Sequence, residues 1–76
     1  MIDPADDYVR LGRALAALRR RAGRTQAEAG AAVNVGARHI STVEKGRTGI
    51  AFPTMMALLR FYRASLAELA AEVERG

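Results

Sequence analysis

Wound on a helix, the segment ARHISTVEK, residues 37–45, divides into two faces. Ala37, Arg38, Ser41, Thr42 and Lys45 share one; Ile40, Val43 and Glu44 share the other. The first face is made of small and basic side chains. Small side chains let a helix backbone sink into the major groove of a duplex, which leaves little room beneath it. From that depth Arg38 can fork onto guanine O6 and N7, Thr42 can meet a base edge or a thymine methyl, and the Ala37 methyl can touch a thymine. Lys45 and Ser41 suit phosphate oxygens. Ile40 and Val43 are core anchors, and Glu44 is a carboxylate in a basic region that needs a partner.

Groups for catalysis are scarce. The chain has one histidine, no cysteine and no clustered carboxylates in its middle. His39 has no second ligand or nucleophile beside it, so neither a metal nor a cofactor is expected, and the chain does not read as an enzyme. His39 is better placed beside the DNA or a neighbouring loop.

The charge is segregated. Asp3, Asp6 and Asp7 stand at the start without a base, and Glu68, Glu72 and Glu74 face only Arg75 at the end. Between Arg10 and Arg63 there are eleven Arg or Lys residues and two Glu, a net charge of +9. Such a basic middle suits a polyanionic partner. No apolar run is long enough to span a bilayer, and Ile2 is followed at once by Asp3-Pro4 rather than by a signal-like apolar stretch. A cytoplasmic location is expected.

Five helices must carry these residues. Asp3 can cap the first, with Pro4 in its first turn; Leu11, Leu15, Leu18 and Ala22 form its apolar stripe, and Gly23 ends it. Thr25 and Glu28 make a capping box for a short second helix to about Val33, with Ala29, Gly30 and Val33 inward. Gly30 lacks a Cβ as if another helix crossed there. Asn34 breaks the pattern, Gly36 serves as N-cap of a third helix at about Ala37 to Lys45, and Gly46 closes it. Two short helices joined by a tight turn are a helix-turn-helix. Pro53 belongs in the first turn of a fourth helix whose inner face is Phe52, Met55, Leu58, Leu59 and Tyr62. Ser65 and Glu68 box the start of the last helix, with Leu66 and Leu69 inward.

Residues 11–69 resemble the Cro/C1-type (XRE-like) helix-turn-helix family. The resemblance rests on LGRALAALRRRAG, TQAEAGAAVNV, ARHISTVEKG and SLAEL, and on the spacing from Gln26 to Glu44. It implies an all-α, compact five-helix lambda-repressor-like DNA-binding domain, with the helix-turn-helix formed by helices 2 and 3. By the same resemblance, Gln26 bonds a phosphate and braces the recognition helix, and Ala37, Arg38 and Thr42 read bases. Ser41, Lys45, Arg47 and Thr48 contact the backbone; Gly36 and His39 border it. Arg19 and Glu44 match a family ion pair, which would answer the lone acid. The chain departs from the pattern at Arg24, where an apolar residue is common, and at Ala29, Gly30, Asn34, Gly36 and Ile50.

The organisation expected is one domain over 1–76. It comprises an N-terminal extension of helix 1 over 1–10, the helix-turn-helix over 25–45, and a C-terminal helix over 65–76 as a candidate dimerisation segment. The function implied is a sequence-specific double-stranded DNA-binding transcriptional regulator, a repressor, bound to a palindromic operator as a homodimer. Met56, Phe61, Ala70 and Val73 are the candidate dimer contacts. No membrane or small-molecule partner is expected. An alternative stays open: an antitoxin or adaptor using the same fold mainly to bind protein.

Overall fold

Asp3 opens the first helix, α1 (Pro4–Arg21), by accepting a hydrogen bond from the Ala5 amide at 3.0 Å. Asp6 and Asp7 meet the positive end of its dipole, and Arg19, Arg20 and Arg21 the negative end. The computed structural model describes residues 1–76. Four further helices follow: α2 (Gln26–Ala32), α3 (Ala37–Glu44), α4 (Phe52–Tyr62) and α5 (Leu66–Arg75). The capping boxes of Thr25 with Glu28 and of Ser65 with Glu68 form in both directions. Val33 and Lys45, expected as last helical residues, are the C-caps of α2 and α3 instead.

The first four helices stop by one device. A residue in the left-handed conformation ends each: Gly23 (φ 72°), Asn34 (60°), Gly46 (74°) and Arg63 (57°). The next amide then bonds back five residues, Arg24 to the Arg19 carbonyl, Val35 to Gly30, Arg47 to Thr42 and Ala64 to Leu59. Three of the four residues are of types that announce such a stop. Arg63 does not, because a side chain with a Cβ is disfavoured there.

α1 is the hub, packing on α3, α4 and α5, while α2 packs on α3 and α4. Leu15, Ile40, Leu58 and Leu59 are the largest side chains fully enclosed between them. Two expected core residues lie outside: Phe52 is 60% exposed and Leu66 46%. Each is the first residue of its helix, ahead of the turn that reaches the core. Helical periodicity gives a direction, and depth depends on where the helix begins.

Two glycines set the closest approaches. A Cβ on Gly12 would strike the Val43 carbonyl oxygen and lie 2.8 Å from that of Glu44, so α1 and α3 meet backbone on backbone. At Gly30 the obstacle is not a crossing helix, as expected, but the turn itself. A Cβ there would lie 3.1 Å from the Gly36 carbonyl carbon and 3.2 Å from the amide nitrogen of Ala37, which opens α3.

Candidate nucleic-acid interface

The turn that aims α3 begins with Asn34, whose left-handed backbone reverses the chain after α2. Val35 then packs against the core, and Gly36 caps α3 without a side-chain bond. Ile40 and Val43, 2% and 3% exposed, seat the helix on its inner face. The opposite face presents Ala37, Arg38 and Lys45 to solvent, with Ser41 and Thr42 half-buried beside them. Gly36, His39 and Arg47 are exposed at its edges, and Thr48 is half-buried in the following loop.

Glu44 sits at the end of α3 with its side chain almost wholly covered. Its Oε2 accepts from Arg19 Nε at 2.7 Å, and its Oε1 accepts from Arg19 Nη2 at 3.0 Å. This is a two-pronged guanidinium–carboxylate pair between α1 and α3. Arg19 also donates from Nη1 to the Arg24 carbonyl at 2.8 Å, which ties down the loop before α2. Gln26 Nε2 donates to Glu44 Oε1 at 2.9 Å. One carboxylate therefore holds both helices of the pair and the hub. The hydrogen bond from Arg19 to Glu44 holds the guanidinium pKa above its ordinary value.

Tyr62 lies behind this network. Its hydroxyl is buried without a hydrogen-bond partner. Burial, with the Glu44 charge adding to it, pushes its pKa up to about 12.

Arg24, the basic residue where an apolar one is common, has its guanidinium carbon 4.6 Å from the centre of the Phe61 ring. It covers that ring as an apolar side chain would, with cation–π attraction added. Neither the Phe61 partner of Arg24 nor the α3 carbonyls facing Gly12 emerge from reading residue types along the chain. Gly12 could have been flagged as Gly30 was, by its place inside a helix. Of the four candidate dimer contacts, Met56, Phe61 and Val73 are half-buried against the core, and Ala70 is exposed.

Electrostatically the α3 surface is one-sided. Arg38, Lys45 and Arg47 enter no ion pair, as is also true of Arg10, Arg13, Arg20, Arg60 and Arg63, whereas Arg19, Arg21, Arg24 and Arg75 each do. The single cleft lies elsewhere, between the end of α1 and the α4–α5 turn, lined by Leu18, Arg21, Tyr62 and Arg63 among others and by no residue of α2 or α3. No group of three or more potential metal ligands is present, and no helix is long and apolar enough to cross a membrane.

Comparison with known proteins agrees with this geometry. The sequence model of a helix-turn-helix domain matches residues 10–71. Two crystal structures of the clp gene regulator ClgR from Corynebacterium glutamicum are similar to this chain. One superposes with a TM-score of 0.85 at 26% identity, over 90% of this chain and 72% of that one. The other gives 0.83 at 26% identity, over 90% and 87% respectively. No curated protein sequence matches.

Proposed function

Because this chain belongs to the helix-turn-helix domain family, we propose that it regulates transcription by inserting α3 into the major groove of double-stranded DNA. The observation that carries this reading is the division of α3. Its inner face is fastened by Ile40, Val43 and the Glu44 network, and its outer face holds small side chains and unpaired cations. The likeness to a gene regulator supports the same assignment.

In this reading Arg38 and Thr42 face base edges with Ala37 between the helix and the groove floor. Ser41, Lys45, Arg47 and Thr48 face phosphates, with Gly36 and His39 at the margin. Gln26 faces a phosphate with one amide hydrogen while the other stays on Glu44. One such module covers few base pairs, so the protein acts as a homodimer on a palindromic operator, its half-sites about one helical turn apart. It represses by occupying the site against polymerase, in the cytoplasm.

Selection of bound sequences from random DNA tests the proposal. An enriched inverted repeat is expected. Recovery of no motif, together with tight co-purification of an unrelated small protein, would favour the antitoxin or adaptor reading instead.

A further inference from the structure

Thr42 is the half-buried residue at the centre of the outer face of α3, with Arg38 four residues before it and Lys45 three after. Its hydroxyl is not free. Oγ1 donates to the Arg38 carbonyl, 2.9 Å away in the preceding turn. Most hydrogen-bonding atoms on the major-groove edge are acceptors: guanine O6 and N7, adenine N7 and thymine O4. A hydroxyl whose proton is committed to its own helix has nothing to donate to them. The Cβ of threonine carries two heavy substituents, so turning Oγ1 back on the helix leaves the Cγ2 methyl as the group facing outward. The one apolar feature on the base edges of the groove is the methyl at C5 of thymine. The stems of Arg38 and Lys45 flank the Thr42 position at helical-neighbour spacing and extend this small apolar spot.

We propose that Thr42 reads a pyrimidine C5-methyl group through its own methyl, its hydroxyl proton serving the helix and not the DNA. The inference rests on the groove-binding reading of α3. The methyl can belong to thymine or to 5-methylcytosine, and in the second case occupancy of the operator responds to cytosine methylation.

The experiment uses the full chain and the operator obtained by selection. Each thymine is replaced in turn by deoxyuridine and each cytosine by 5-methylcytosine, and affinities are measured for the wild type, Thr42→Val and Thr42→Ser. Burying one methyl corresponds to about a four-fold change in affinity. If the source is thymine, one position per half-site loses about that factor on change to deoxyuridine. If it is a methylated cytosine, one position gains a similar factor. Thr42→Val keeps the effect and Thr42→Ser abolishes it, with circular dichroism establishing that both are folded. An operator indifferent to every methyl sinks this proposal and leaves groove binding standing. So does a Thr42→Ser variant that keeps the discrimination while Thr42→Val loses it. Failure to enrich any sequence sinks both.

Discussion

Gln26 and Glu44, the first residue of α2 and the last of α3, are joined by a 2.9 Å hydrogen bond from amide to carboxylate. The same carboxylate takes both prongs of Arg19. The helix pair is thus closed at its open end, opposite the turn. Glu44→Ala would leave the Arg19 guanidinium, on a residue 9% exposed, without its counter-charge. A loss of about 3–5 kcal/mol is expected, enough to unfold much of a domain this small. Urea titration measures it, and a midpoint unchanged from wild type would contradict the assigned role.

Arg38 and Lys45 are expected to separate when binding is measured across sequences and salt. Arg38→Ala should cost about 1–3 kcal/mol at one base pair and relax preference there. Lys45→Ala should weaken binding to all sequences alike and reduce the salt slope by about one. If Arg38→Ala leaves affinity and preference untouched, the wrong face of α3 has been assigned.

Gly12→Ala pushes a methyl into the Val43 and Glu44 carbonyls. Backbone cannot step aside as a flexible side chain can, so about 1–3 kcal/mol of destabilisation is expected. Because the displaced element is α3, operator affinity should fall even at temperatures where the variant is fully folded. Thermal melts and binding isotherms on the same sample distinguish the two effects.

Tyr62→Phe removes a buried hydroxyl that has no partner. The variant should be more stable by about 1 kcal/mol. The tyrosine also predicts an alkaline limb. Its folded pKa of about 12 lies above the ordinary value of 10.0, so the folded state keeps the proton longer than the unfolded one. Stability is therefore lost as pH rises from 10 toward 12, and the phenylalanine variant should lack that loss. Chemical denaturation across this range gives the comparison directly.

Glu72 contributes to the acid limb at the α1–α5 contact. It is buried against Arg21, with Arg75 3.6 Å away. The hydrogen bond from Arg21 holds its pKa below the ordinary 4.5, with Arg21, Arg75 and Arg13 adding their charge. Its contribution is complete above the unfolded value and disappears as pH falls through the folded one. Glu72→Gln should make the stability profile below pH 4.5 shallower, leaving the part due to Glu28, whose capping-box bonds to Thr25 also lower its pKa, and should leave its shape near neutrality unchanged; an acid slope identical to wild type would contradict the role of Glu72.

Much of this architecture is local, and local features are legible in sequence. Asp3, Thr25 and Ser65 declare helix starts because their side chains bond amides within three residues. Gly23, Asn34 and Gly46 declare stops because their residue types tolerate a left-handed backbone. The bipartite face of α3 follows from periodicity alone. What escaped depends on separations far along the chain. Phe52 and Leu66 share the direction of the inner stripes, but only the assembled helices show that both lie beyond the core. Gly12 matters because of a carbonyl thirty-one residues on. The stacking of Arg24 on Phe61 spans a similar distance, and nothing in either residue type predicts the other.

The contact at Gly12 has a consequence for how such a protein can change. α3 rests on α1 through main-chain atoms, which are the same whatever residues the outer face carries. Rewriting Ala37, Arg38, Ser41, Thr42 and Lys45 alters no atom of that seat. On the proposed groove-binding reading, new target preferences can therefore be explored by substitution on one surface while the mounting beneath it stays in register. On that reading, recognition and architecture are inherited separately along α3 and its C-cap, Lys45.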